Sequence, residues 1–503
     1  MGVFLKKSTL LDTKHWVANR IKQQEIDKYL DGGKDFVDER AIYEAMGKKQ
    51  NPDKRQIADI LDKSLSIKTL SIDEVATLMS VSDPELWEQM ISTGAEVKKK
   101  VYDNRIVTFA PLYMGNLCVN NCLYCGFRAE NANAVRRVLT MEQVEQEVRS
   151  LAGEIGHKRL IVVYGEHPAT DAEYIAKTLK TIYNVKVPTK RGFGEIRRAN
   201  VNAAPMSVEE LKKLSAVGIG TYQVFQETYH KKTFSRVHPS GTLKSHYHWR
   251  LYAMHRALEA GVDDVGIGAL FGLYDWKFEL LALVAHSLEL EKKFNIGPHT
   301  ISFPRLEPAD NAPWSQDTKF GVSDEDFLKL ITLIRLAVPH TGMIITSREG
   351  AEMKRRAIPL GCTQTDASTK IGIGNYGEHS QKQDGAKQQF MLGDTRSLDE
   401  MIYEFTQMGY ITSFCTAGYR CGRTGECIID LLRTGQEGKF CKLNAILTFR
   451  EWLDDFATAK TKKAGEALIQ KEIDEIKDQM PSVYDKLMDN YQRILNGERD
   501  IYF

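Results

Sequence analysis

The stretch Cys118-Val119-Asn120-Asn121-Cys122-Leu123-Tyr124-Cys125 decides the reading of this chain, and it follows an apolar run that has the composition of a buried strand. Three thiolates that close together on one loop can hold three irons of a [4Fe–4S] cluster and leave the fourth iron open to a ligand. Two simpler uses fit worse. Structural zinc needs four ligands, yet Cys118 is the first cysteine of the chain and the next one after Cys125 is Cys362. Three cysteines in eight residues cannot all pair as disulfides. The opening Met-Gly-Val-Phe-Leu-Lys-Lys also has no apolar leader that would send the chain to an oxidising compartment.

Composition agrees with an ordinary globular enzyme. The 503 residues suggest two to four structural units, with 42% hydrophobic and 27% charged residues. A net charge of +1 leaves no electrostatic footprint for nucleic acid or an anionic membrane. No apolar run approaches the ~18 residues of a membrane-spanning helix. Lys6 stands where a myristoylation signal wants Ser or Thr. A reducing, oxygen-poor cytoplasm is the expected setting.

Working outward from the cysteines, residues 1–85 read as a helical prelude, with Ser71 and Glu74 spaced as a capping box. A regular alternation fills residues 86–380. Strand-like runs fall at 105–110, 159–165, 195–203, 221–227, 264–271, 299–304, 342–346 and 362–367. Helix-like segments separate them, including 141–151, 207–217, 245–260, 277–294 and 323–338. Eight such repeats predict a (β/α)8 TIM barrel, with an open doubly wound sheet as the alternative. Residues 381–503 read as a cysteine-containing loop followed by a helical, charged tail.

Barrel sites form at the C-terminal ends of strands, and the chemically loaded residues fall there. A cluster with one open iron can bind the amino and carboxylate groups of S-adenosylmethionine, whose sulfonium is cleaved to a 5′-deoxyadenosyl radical when one electron arrives. Gly165 offers a backbone that can be closely approached, and Glu166 a carboxylate for the cofactor ammonium or simply an exposed loop acid. Arg197 and Arg198 suit the cofactor carboxylate, although one of two neighbours on a strand must point away. Gln226 and Glu227 suit ribose hydroxyls, and Tyr124 is counted with the cofactor-binding group. Arg348 is the candidate clamp for a substrate carboxylate, unless Glu349 or Glu352 claims it as a salt bridge. Tyr113 faces either the substrate or the core.

Five longer segments carry a family resemblance: Pro111–Cys118, Gly194–Asn202, Tyr222–His230, Asp263–Asp275 and Gly297–Pro308. Over about residues 85–450 the chain resembles the tyrosine lyases of the radical S-adenosylmethionine superfamily, most of all the HydG-type maturases of [FeFe]-hydrogenase, with the ThiH-type 2-iminoacetate synthases as shorter relatives. The resemblance implies hydrogen abstraction from L-tyrosine, Cα–Cβ scission, and release of p-cresol and dehydroglycine (2-iminoacetate). It also implies a low-potential electron donor such as ferredoxin or flavodoxin, and onward conversion to carbon monoxide and cyanide at a second, C-terminal cluster for a metallocofactor maturation partner. Competing readings are lysis that stops at dehydroglycine, another aromatic amino acid as substrate, and a non-catalytic iron–sulfur scaffold. A scaffold needs only the ligands, not the polar residues that surround them.

Two positions depart from the family pattern. The implied second motif, Cys-Thr-Ala-Cys-Tyr-Arg with a third cysteine 22 residues on, here reads Cys415-Thr416-Ala417-Gly418-Tyr419-Arg420, with Cys441 as the third. Either Cys415, Cys441 and one of two substitutes absent from the pattern, Cys421 or Cys427, hold a remodelled cluster, with Cys421 favoured by its place three residues beyond Gly418, or the site has become a looser metal site or none. His299 matches the histidine implied to bind an extra iron there, and His286 is a weaker candidate. Asp366 stands where the family has a small polar residue; it can pair with Arg348, meet the substrate ammonium, or simply end a strand.

Overall fold

The computed structural model describes residues 7–48, 52–380, 382–434 and 436–503, so the first six residues, on which the reading of the leader rests, lie outside it. Eight parallel strands form the centre: β1 (Arg105–Gly115), β2 (Arg159–Tyr164), β3 (Arg198–Asn202), β4 (Tyr222–Gln223), β5 (Val265–Gly268), β6 (Thr300–Ser302), β7 (Gly342–Ile345) and β8 (Gln364–Asp366). Each lies within, or largely overlaps, one of the expected runs. β8 pairs back onto β1 through Val107↔Gln364 and Phe109↔Asp366, which closes the barrel and removes the open-sheet alternative. A ninth strand, β9 (Ile411–Ser413), adds to the outer edge of β1 from Arg105↔Ile411.

Helices cover the outside of the barrel, so the strands are buried on both faces and read as continuous apolar runs. All eleven residues of β1 are buried. Several helices start with reciprocal caps, Thr140 with Gln143 and Ser207 with Glu210, and the expected box at Ser71 and Glu74 is formed. The prelude helices pack on the side of the barrel: Ser64 donates to the Leu336 carbonyl over 2.9 Å, and Arg20 pairs with Glu210.

The helices Gln436–Asp455, Ala459–Gln479 and Pro481–Leu495 follow β9. Glu451 of the first reaches the N-terminal ends of β2 and β3, where it meets Lys158 at 3.1 Å and Arg197 at 2.8 Å. The C-terminal part thus caps the floor of the barrel. Midway up, Phe109, Ile161 and Ile344 form an apolar layer in the lumen. Among the described residues no helix is long and apolar enough to cross a membrane.

Candidate active site at the barrel mouth

Beyond β1 the chain turns through the cysteine loop, which neighbouring side chains hold in place. Asn116 accepts from the Arg137 backbone over 2.7 Å and donates to the Val135 carbonyl over 2.8 Å. Asn120 donates to Glu166 Oε2 over 2.5 Å and accepts from the Lys244 backbone over 2.8 Å. Glu166 also accepts at its carbonyl from the Val119 N–H over 2.8 Å. At Gly165, a Cβ would overlap the Leu117 carbonyl, so this glycine lets strand β2 lie directly beneath the loop. The close approach expected of Gly165 is therefore made by the protein's own backbone.

Cys118, Cys122 and Cys125 line one wall of a cavity of about 220 Å³. The same cavity is lined by Tyr113, Tyr124, Gly165, Glu166, Glu227, Arg348 and Asp366. Burial pushes the Cys122 thiol up to about 12 and raises Cys118 as well, with Lys244 pulling Cys122 the other way. Thiols in that state lose their protons to solvent when a metal cation takes the sulfur.

Strand parity explains who faces the lumen. On the segment through β4, Gln223, Phe225 and Glu227 line the cavity, so the intervening Gln226 is turned outward. This corrects the expectation that Gln226 belongs with the cofactor-binding residues: its side chain is buried away from the cavity. Glu227 sits at φ +71° and accepts from Lys244 Nζ at 2.8 Å and Arg250 at 3.3 Å. Burial alone would raise its carboxyl, but those two cations hold it below the ordinary value.

Arg197 and Arg198 are a second correction. Strand β3 begins only at Arg198, so both sit at the floor, the opposite end from the cysteines. Arg197 binds Glu451, and its Nε lies 3.0 Å from Asp500. Arg198 donates to the Gly218 carbonyl and stacks over Tyr419 at 4.8 Å. The charge of Arg197 docks the first C-terminal helix, while Arg198 is held by the barrel's own Gly218 carbonyl and by Tyr419.

Arg348 faces the cavity from the end of β7, its guanidinium 3.3 Å from the Phe390 ring centroid. Glu349 is engaged instead by Arg305, whose Nε donates over 2.9 Å. Among the described residues no carboxylate forms an ion pair with Arg348, and burial draws the guanidinium below its ordinary value. Asp366 has its own partners, accepting from the Ser347 N–H over 2.7 Å and the Thr369 hydroxyl over 2.6 Å. It shapes the turn that presents Arg348. Tyr113 donates to Gln389 Oε1 over 3.1 Å, and Tyr124 shares a hydrogen bond with His238 over 2.8 Å.

Lys244, Arg250, Asn120, Gln389 and Phe390 were not expected from sequence. Lys244 and Arg250 come from a crossing segment after β4, and Gln389 from a strap that returns over the mouth. Gly126 admits that strap: its N–H donates to the Gln389 carbonyl over 3.1 Å, and a Cβ there would meet Gln388 O at 2.8 Å.

At the floor, Cys415 follows β9 at φ +48° and its thiol is hydrogen-bonded to Cys441. That bond, with Arg159, Arg105 and His299 nearby, holds Cys415 well below the ordinary thiol value despite burial. His299 Nε2 lies 3.9 Å from Asp264. Cys421 does not join the pair, which corrects its expected role as the substitute ligand: it is exposed, and its Sγ contacts the Phe503 main-chain oxygen at 3.4 Å. His286 lies away in a helix, bonded to Tyr229 over 2.8 Å.

A barrel with three cysteines after its first strand, facing a polar cavity at the strand ends, defines a radical S-adenosylmethionine enzyme. Comparison with known proteins agrees. The Radical SAM superfamily model matches residues 112–283, and the Biotin and Thiamin Synthesis associated domain matches 302–411. A 2-iminoacetate synthase of Salmonella typhimurium is 28% identical over 64% of this chain and 81% of its own length. A crystal structure of HydG, a maturase of the [FeFe]-hydrogenase, superposes with TM-score 0.87 at 44% identity, covering 93% of this chain and all of that one. HydG from Carboxydothermus hydrogenoformans follows with TM-score 0.74 at 34% identity, over 95% of this chain and all of its own. The chain belongs to the HydG-type tyrosine lyase family of radical S-adenosylmethionine enzymes. It is a radical lyase, and the family brings a [4Fe–4S] cluster, S-adenosylmethionine, an amino acid substrate and a reductant.

Proposed function

We propose that this enzyme cleaves the Cα–Cβ bond of L-tyrosine and releases p-cresol and dehydroglycine. The observation that carries the reading is Arg348, a half-buried guanidinium with no carboxylate partner among the described residues, facing the cavity that the three cysteines line. A bidentate arginine is the usual partner for an amino acid carboxylate. Phe390, stacked on it, fixes the plane of the fork.

The donor set at the mouth fits a cluster with one open iron. Cys118, Cys122 and Cys125 would hold it, and Glu166, with Asn120 as its support, would take the cofactor ammonium. Lys244 and Arg250 stand beside Glu227, where a cofactor carboxylate and ribose need cations and acceptors. When bound, the cluster and S-adenosylmethionine supply a carbon radical able to take a hydrogen atom from the substrate amino group. The protein's own contribution is to hold the substrate by Arg348 and shield it under the 384–392 strap. The apolar layer of Phe109, Ile161 and Ile344 supplies a dry wall for an aromatic ring.

The test is anaerobic reconstitution with iron and sulfide, then addition of dithionite, S-adenosylmethionine and tyrosine. The expected products are 5′-deoxyadenosine and p-cresol in step with each other. Deoxyadenosine without p-cresol would assign another substrate, and neither product would favour an iron–sulfur scaffold.

A further inference from the structure

The family implies a second cluster at the barrel floor, held by three thiolates, and the residues present there do not fit it. Cys415 and Cys441 are in direct hydrogen-bonded contact. Cys421 is turned to Phe503. A [4Fe–4S] cluster needs four ligands, of which the protein normally gives three or four.

Gly418 is the position that fails. It lies in the short helical turn Ala417–Arg420, with no left-handed backbone angle to demand glycine. A Cβ built there would meet the Arg423 carbonyl at 3.6 Å and Arg423 Cβ at 4.0 Å, both ordinary contacts. The space for a side chain exists at the position where the family pattern has its middle cysteine. Most tightly packed glycines of this chain differ: at Gly165, Gly194 or Gly220 a Cβ would overlap a neighbouring atom.

We propose that the floor of this enzyme is a two-thiol site that carries no iron–sulfur cluster, that Gly418 is the single missing ligand, and that the reaction therefore ends at dehydroglycine. The last clause rests on the lyase reading for the identity of the product; the first two do not. Their test is independent of turnover.

The mouth ligands are removed together in a Cys118→Ser, Cys122→Ser, Cys125→Ser variant, which is reconstituted anaerobically with iron and sulfide. The expected result is background iron and no electron paramagnetic resonance signal after dithionite. Adding Gly418→Cys to that variant is expected to raise the content to about four irons per chain, with a reduced-cluster signal. About four irons and a signal in the variant that keeps Gly418 would overturn the proposal, and so would failure of a folded Gly418→Cys protein to take up iron. If the triple variant does not fold, the otherwise unaltered chain decides. Its iron saturates at about four per chain if the proposal holds and at about eight if it fails. Absence of p-cresol in the turnover assay would count against the lyase reading and leave the iron counts standing.

Discussion

Gln389 donates its side-chain amide to the sulfur of Cys125 over 3.4 Å. The same amide accepts from Tyr113, so a strap residue far along the chain couples the cavity wall to a proposed cluster ligand. Hydrogen bonds to ligand sulfur favour the more negative, reduced cluster and raise its potential. Gln389→Leu should therefore lower the midpoint potential. A loss of about 1 kcal/mol in differential hydrogen bonding corresponds to roughly 40 mV for a one-electron couple. A redox titration followed by electron paramagnetic resonance reads this directly. An unchanged potential would reduce Gln389 to a packing role.

Arg348 carries the substrate assignment, and its variants separate charge from geometry. Arg348→Ala should cost about 2–3 kcal/mol of binding, roughly 30–150-fold in kcat/KM for tyrosine. Arg348→Lys keeps the charge but loses the fork and the stack on Phe390, so recovery should be partial. Uncoupled cleavage of S-adenosylmethionine without tyrosine should persist in both. A loss of that background reaction would move Arg348 from substrate to cofactor.

How far the sequence reaches differs between residues for physical reasons. The eight strands are legible because both barrel faces are buried and each strand is an apolar run. Glu227 and Gln226 look equivalent in the sequence, yet period-two alternation from Gln223 through Phe225 selects only the former for the lumen. The place of Arg197 is not legible because an apolar run does not mark where strand pairing starts, and pairing begins one residue later. Lys244, Arg250 and Gln389 come from crossing and returning segments whose destination depends on tertiary docking. Gly126 is the only local hint of the strap, and its meaning emerges only when Gln388 O is in view.

Arg197 belongs to the docking of the C-terminal helices, and this predicts a stability effect rather than a cofactor effect. Arg197→Met leaves buried Glu451 with the Lys158 ammonium and the Asp500 N–H, and breaking a buried pair in this way costs about 3–5 kcal/mol. Calorimetry should show a lowered Tm while affinity of the reconstituted enzyme for S-adenosylmethionine is retained. The network also sets a pH dependence. Burial would raise Glu451, but Arg197 and Lys158 hold it down at about 2, below its ordinary 4.5. Its folded pKa is depressed, so the stabilisation is complete above about 4.5 and is lost as pH falls from there toward 2. Arg197→Met should flatten that acid limb.

The floor site predicts what becomes of the product. The resemblance to the HydG-type maturases implies that dehydroglycine is carried on to carbon monoxide and cyanide at a second cluster. Here the floor offers two neighbouring thiols, and on the proposal above no cluster stands there to take the product. Dehydroglycine should then leave by the mouth and hydrolyse in solution to glyoxylate and ammonia. With tyrosine turning over, p-cresol should accumulate while deoxyhaemoglobin in the same vessel shows no carbonyl spectrum. Glyoxylate should match p-cresol mole for mole. Reconstituted Gly418→Cys should divert part of that glyoxylate into carbon monoxide, and Cys441→Ser in the same chain should reverse the gain. Carbon monoxide at the level of p-cresol from the unaltered enzyme would mean that a floor cluster forms on two thiols and some further ligand, against the geometry of Cys415 and Cys441.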